Sequence, residues 1–575
     1  MSQERLDRKD WIFYAVTFGV ALAFLAGVYG AAYLAVPEGW VFSGMLHDTH
    51  DALGYQVWAN YYQHGGLLAD NPYALTRLPP TWFNLTWWVF GKLMALGVPF
   101  YPAYHLFRAL AGALLFLLLL RLMRDLVHDR VAAWTAYLFA GFGTGFTWLV
   151  GLFKWGWLRR GFIPSDIAHG DSFPFNAFWT FPHLALSWAM LVGIYLCMYR
   201  AATRGRRAWA VGAGLIALPM GFVHPYHFVT ILPVLGLWYA ALQVKHGRAF
   251  LRRWPDLALL FAGMLPGLVY YLRFLGNSPN FSHWSSTNVT RTTFPSLVLL
   301  GFGIFAILPL FSWRGLAPVS RFTDRYLLVA IWPLVNLAAH FSYPFTFFDS
   351  RLGEGLLLPL AVLSSWALFG TVLPWLFPRR APDPGVAADI LEGTEAAAPP
   401  AGDPAQARFR LAAAVAVTVF AFPTTLLHVA NQFQELRTGE PWFRFTLDTK
   451  MKLRAGEADA LAAFGREQPR DFPIVLSGPE IGLLIPGYAP VRAFVGHVTQ
   501  TTNFQERMKT VAAFYGPYGS DEDRRQLLRQ REFAYVWWGV DEDRYGGRRP
   551  QGTPWLVPVY NNGTVTLYRV DRAAL

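Results

Sequence analysis

Residues 11–36 read WIFYAVTFGVALAFLAGVYGAAYLAV, a stretch without a charged side chain. At about 1.5 Å per helical residue it is long enough to cross the roughly 30 Å hydrocarbon core of a bilayer. Arg5, Arg8 and Lys9 precede it, as in the charged start of a signal peptide, but its length and the lack of a small-residue cleavage site predict an uncleaved first span. Further apolar runs follow at 103–123, 130–153, 177–200, 207–223, 225–243, 255–275, 294–313, 324–342, 354–377 and 408–430. Together they predict about eleven spans, all helical because lipid offers no partner to an unpaired backbone group.

Composition agrees with that reading. Of 575 residues 54% are hydrophobic, 17% aromatic and 15% charged, more apolar surface than one soluble core of this length can hide. The single cysteine, Cys197, excludes an internal disulfide framework, a Cys-rich zinc site and a Cys-ligated iron–sulfur cluster. The net charge of +12 is dispersed in short clusters rather than gathered in one basic domain, so no nucleic-acid partner is expected.

Topology accounts for those clusters. Arg121, Arg124 and Arg130 fall in one connection, and Arg200, Arg204, Arg206 and Arg207 in another. Lys245, Arg248, Arg252 and Arg253, then Arg314, Arg321 and Arg325, then Arg379 and Arg380 occupy every second loop thereafter. The positive-inside rule places them in the cytoplasm with the N-terminus, and an odd number of spans puts the C-terminus in the periplasm or cell exterior of a plasma (inner) membrane protein. This requires residues 81–98, with Trp82, Trp87, Trp88 and Lys92, to lie in the interface rather than span.

The expected fold class is a predominantly α-helical polytopic membrane protein with a small C-terminal exterior α/β domain. Residues 1–377 form the membrane core, with a first outer loop at 37–102. Residues 378–407, rich in Pro, Ala and Gly, read as a flexible cytoplasmic linker without chemistry. Residues 408–430 are the last span, and 431–575 the exterior domain, with strand-like runs at 473–476, 533–538 and 564–570.

Given this orientation, of 14 histidines only His128 and His246 face the cytoplasm. The first outer loop carries His47, Asp48, Thr49, His50 and Asp51 in one run; in a helix, Asp48 and Asp51 share a face. A carboxylate there can take a proton from an incoming hydroxyl, and the pair with His47 and His50 can hold a divalent cation such as Mg²⁺ or Mn²⁺. Asp48 equally suits the N-cap of a helix running through Tyr55 and Tyr61.

The second outer loop has Lys154, Arg159 and Arg160, against the positive-inside tendency; an anionic phosphate substrate or anionic lipid headgroups would answer them. Asp166, His169, Asp171 and His183 follow. His224, Pro225, Tyr226 and His227 interrupt two spans, so two imidazoles can face one cavity or pair at the interface. Arg351, between Asp349 and Glu354, can bind phosphate oxygens bidentately or sit in an ion pair with either acid. Val495, Gly496 and His497, with Asn503 and Arg507, mark a recognition loop. Walker A, G-x-G-x-x-G, H-E-x-x-H and G-x-S-x-G patterns are absent, removing support for ATP-driven pumping, zincin proteolysis and α/β-type serine hydrolysis.

A first span, a long first outer loop opening on acids, an interfacial helix, many further spans and an exterior C-terminal domain resemble the GT-C superfamily of polytopic glycosyltransferases. Asp51 followed by Tyr55, with Gly65 and Gly66 beyond, resembles the D-x-x-x-Y start of that loop in bacterial members, and Pro182-His183, His224-Pro225 and Arg351 resemble positions in the same group. The WWDYG-type signature of oligosaccharyltransferases is absent. The resemblance implies a donor sugar on a polyprenyl phosphate and a lipid, glycan or protein acceptor. It also implies general-base catalysis by Asp51 or Asp48 with inversion, the phosphate meeting Arg351, Arg159, Arg160 or His224. The rival readings are a transporter or channel with an outward His- and Asp-lined vestibule, and a lipid-linked glycan ligase or polymerase. Few ionisable residues lie mid-span, which counts against an ion pathway.

Overall fold

The computed structural model describes residues 6–75, 79–312, 318–343, 345–346, 348–377, 384–392, 404–444 and 450–575. The first helix, α1, covers Arg8–Ala35 and starts at a capping box, in which the Asp7 side chain accepts from Lys9 and Asp10 backbone N–H groups. Six described helices are long and apolar enough to cross a membrane, or seven if the pair Arg130–Phe142 and Thr147–Phe153, bent by 60°, forms one span. The chain is a multi-pass membrane protein. The helix Pro182–Arg204 is central, with 94% of its apolar window buried, whereas α1 buries 22% and presents the rest of its apolar surface outward.

The helices of that length and apolarity do not match the eleven expected spans one to one. The helical run Pro225–Leu275 has 51 residues, far more than one crossing needs, and folds through a 3₁₀ turn at Gly247–Arg253. Its second half, Trp254–Val269, lies against Arg207–Val223 at glycines: a Cβ on Gly263 would meet the Gly214 carbonyl oxygen at 2.1 Å, and one on Gly221 would meet the Gly267 Cα at 2.9 Å. The expected span at 294–313 is broken: Pro295–Phe302 ends at Gly303, whose φ is 53°, and only short turns follow. Within 81–98 the helix α3, Leu85–Ala95, has 11 residues, too short to span.

At one end of the bundle the basic clusters meet buried acids. Asp125, on the helix Phe100–Leu126, lies 2.5 Å from Arg200, 3.4 Å from Arg204 and 3.8 Å from Arg121. Asp10 receives the Trp134 indole N–H at 2.9 Å and lies 3.5 Å from Arg124. One sequence expectation fails here. Residues 384–392 are packed rather than flexible: Pro384–Ile390 is a helix, Val386 and Ile390 are buried, and fully buried Asp389 accepts from His128 at 2.6 Å, Arg325 at 3.1 Å and Trp366 at 3.1 Å. Residues 404–407 of the expected linker begin the helix Pro404–Ala421, and its remainder, 378–383 and 393–403, lies outside the described residues, as do Arg379, Arg380 and Arg314.

At the opposite end, strand β1 (Trp40–Phe42) pairs antiparallel with β2 (Lys452–Arg454), so the first loop and the C-terminal region share a sheet. The helix Pro423–Thr438 runs past the expected boundary at 430. The C-terminal sheet has five strands, β3 (Ile474–Leu476), β4 (Arg492–Ala493), β5 (Phe533–Trp538), β6 (Leu556–Asn561) and β7 (Thr566–Val570), in the order β4-β3-β5-β7-β6. The β4-β3-β5 part is parallel and β5-β7-β6 antiparallel. Buried Arg492 and Asp70 pair between this domain and the first loop, and Arg507 donates to the carbonyls of Tyr73 (2.8 Å) and Phe494 (2.7 Å). This docking closes one side of a cavity beneath it.

Candidate active site

The cavity, of about 500 Å³, is lined by the first loop, the adjoining ends of several membrane helices and the C-terminal domain. Asp51, Tyr55, His183, His224 and Arg351, each expected from sequence, share its wall, and His497 joins them. Its remaining walls are largely aromatic, including Trp82, Trp87, Phe281 and Trp284. Leu272 and Val229, 73% and 42% exposed, lie on its apolar side.

Asp51 sits in the first turn of α2, Thr49–His64, one helical turn before Tyr55, so the two face the same way. Its side chain is 36% exposed, and its Oδ1 lies 3.1 Å from Nε2 of His497, whose Nδ1 is 3.2 Å from the Thr499 hydroxyl. This fits an imidazole that donates from Nε2 to the carboxylate and accepts from Thr499. Burial pushes the Asp51 carboxyl up, but the His497 hydrogen bond and the neighbouring Arg351 guanidinium outweigh it and hold the group below the usual carboxylate range, ionised. Gly54, on the same helix, permits the approach: a Cβ there would lie 3.2 Å from the His497 ring. Tyr55 stacks on Trp87 with centroids 4.3 Å apart and meets His183 edge-on at 4.9 Å, fixing the wall beside Asp51.

Arg351 forms an ion pair with Asp171, not with Asp349 or Glu354. Asp349 instead accepts from the Thr292 backbone N–H at 2.8 Å and lies 3.4 Å from Arg291. Asp171, expected to bind substrate, thus holds the guanidinium that lines the cavity, a positioning role. The other expected residues lie apart from the cavity. Asp48 occupies the N-cap position with φ 41° but makes no capping bond, and it is not among the cavity-lining residues. Arg159 and Arg160 are exposed beyond the cavity. Asp166 is fully buried, accepting from the Gly145 N–H at 2.9 Å and from the Thr147 hydroxyl; burial pushes its carboxyl up to about 6. His227 is buried behind His224 and does not line the cavity.

The expected metal set of His47, Asp48, His50 and Asp51 does not converge. His47 Nδ1 meets His428 Nε2 at 3.0 Å, while His50 Nε2 accepts the Val498 N–H at 3.0 Å, and burial holds both imidazoles down at about 3, neutral. Among the described residues, the His/Asp/Glu group whose ligand atoms do converge, within 4.8 Å of one another, is His224, His227 and Glu354. Sequence reading marked the two histidines as a pair but took Glu354 only as an ion partner for Arg351. His497 was assigned to a recognition loop; its position opposite Asp51 follows from docking between residues 446 apart in sequence.

No protein-family model and no curated protein matches the chain. Among solved structures, ArnT from Cupriavidus metallidurans in the apo state matches 97% of this chain and 99% of its own, at 15% identity and a TM-score of 0.50. Archaeal oligosaccharyltransferase AglB from Archaeoglobus fulgidus, in complex with an inhibitory peptide and a dolichol-phosphate, matches 99% of this chain and 75% of its own, at 13% identity and a TM-score of 0.51. The chain shares the fold of these two proteins. At such identity the likeness is one of fold, and the chemistry of this chain rests on its own cavity.

Proposed function

We propose that the chain transfers a sugar from a polyprenyl-phosphate carrier to an acceptor hydroxyl at the membrane face turned away from the cytoplasm of a plasma (inner) membrane. One observation carries the reading: a single cavity joins a polar pole, Asp51 with His497 and Arg351, to an aromatic side that includes the exposed apolar residues Leu272 and Val229. A lipid-linked phosphate needs that combination, with its tail in the bilayer and its head among donors. The dolichol-phosphate held by one structural neighbour is a ligand of this class.

In this mechanism the acceptor hydroxyl enters from the aqueous side and gives its proton to Asp51 as its oxygen attacks the anomeric carbon. The sugar–phosphate bond breaks, the electron pair leaves with the phosphate, and Arg351 stabilises the added charge. His497 keeps Asp51 ionised and aimed. Direct displacement inverts the anomeric centre. Purified protein incubated with labelled polyprenyl-phosphate sugars should pass label to an acceptor with inverted configuration. Label taken only from lipid-diphosphate glycans would replace this reading with a ligase or polymerase, and reconstituted flux without transfer would replace it with transport.

A further inference from the structure

We propose that His224, His227 and Glu354 form a binding site for a divalent ion of the zinc class at the cavity wall. The first argument is placement. His224 ends the helix Arg207–Val223, and Pro225–His227 is a 3₁₀ turn before the next helix. The turn brings the two imidazoles together, with ring centroids 5.0 Å apart.

Glu354 meets them from another element. His224 Nε2 lies 3.1 Å from Glu354 Oε1 and 3.0 Å from Oε2, and His227 Nε2 lies 3.3 Å from Oε2. A tetrahedral ion with bonds of about 2.0–2.1 Å holds its ligand atoms about 3.3 Å apart, close to the His–Glu distances here, and all three ligand atoms lie within 4.8 Å of one another. The carboxylate is held in place: the Asn336 amide donates at 3.0 Å to the carbonyls of both Leu352 and Glu354, and Gly355, with φ +94°, makes the turn that follows.

The second argument is an unpartnered donor atom. His227 is 1% exposed and its Nε2 makes no hydrogen bond, although it points at the carboxylate. An ion pair between His224 and Glu354 leaves that nitrogen unsatisfied, whereas a shared cation uses all three ligand atoms. Two imidazoles with one carboxylate favour zinc-like ions over Mg²⁺ or Ca²⁺, which take oxygen ligands. Because His224 lines the cavity beside Arg351, a fourth coordination position would be reachable by a phosphate oxygen; that use rests on the proposed function, while the binding site does not.

The test is titration of chelator-stripped, full-length protein with ZnCl₂ alone by calorimetry, with zinc-edge X-ray absorption counting imidazole ligands. One equivalent with two imidazoles is expected in the unmodified protein, with affinity at least tenfold lower in His227→Gln and Glu354→Gln and unchanged in His47→Ala and His50→Ala. The X-ray measurement needs no variant, so a misfolded substitution does not decide the result. Absence of a zinc equivalent in folded protein, fewer than two imidazoles on it, or loss of binding in the His47 or His50 variant with retention in His227→Gln overturns the proposal. No donor lipid is present, so this outcome is separate from that of the transfer assay.

Discussion

Asp125 and Asp51, at the two ends of the helix bundle, have opposite surroundings. At the basic end Asp125, with 2% of its side chain exposed, is surrounded by three arginines, and Asp389, with 1% exposed, by His128, Arg325 and Trp366. At the cavity end Asp51 has one imidazole as its direct partner among the described residues, and its side chain is 36% exposed. A carboxylate enclosed by cations stabilises packing and has no room for a substrate. One left facing a cavity, ionised and held by a single neighbour, is placed to act on what enters.

The largest expected effect tests the open acid. Asp51→Asn should lower sugar transfer by about 10²–10⁴ in protein that remains monodisperse and normally helical. Its counterpart at the closed end, Asp125→Asn, should leave transfer per folded molecule unchanged. It should destabilise the protein by about 3–5 kcal/mol, read as a fall in the denaturation midpoint, because buried Arg200 loses its anionic partner. If Asp125→Asn instead slowed transfer without loss of stability, the contrast between the two ends would collapse.

Smaller effects sharpen the comparison. Arg351→Ala should cost roughly 10²–10³ in rate, as for removal of a donor to developing charge, and Arg351→Lys should recover part of it. His497→Gln should slow transfer roughly tenfold, about 1.4 kcal/mol of barrier. The imidazole holds Asp51 low against burial, so its loss lets the carboxyl rise and shifts the acidic limb of the rate profile to higher pH. A limb that stays in place would remove His497 from this role. Arg159→Ala and Arg160→Ala, exposed outside the cavity, should change the rate less than about twofold.

Features written in one contiguous stretch were legible in the sequence. The charge-free run before Pro37 forms α1, and the spacing of Asp51 and Tyr55 places them on one face because a helix turns every 3.6 residues. Arg351 and His224 stood out because ionisable groups beside apolar spans are costly unless used. What failed depended on distance or composition. His497 reaches Asp51 only after the C-terminal domain docks through Arg492 and Asp70, and no local pattern encodes that. Residues 384–390 read as linker because Pro, Ala and Gly dominate nearby, yet Val386, Asp389 and Ile390 are buried. Arg159 and Arg160 drew attention by charge alone, and charge does not say which way a side chain points.

The account depends most on which compartment the cavity end faces. Replacing the single, buried Cys197 by serine and placing one cysteine at Tyr518, which is 97% exposed on the C-terminal domain, gives a direct probe. In intact cells a membrane-impermeant maleimide should label Tyr518→Cys at full extent without permeabilisation. Labelling that requires permeabilisation would put the cavity in the cytoplasm and contradict the account.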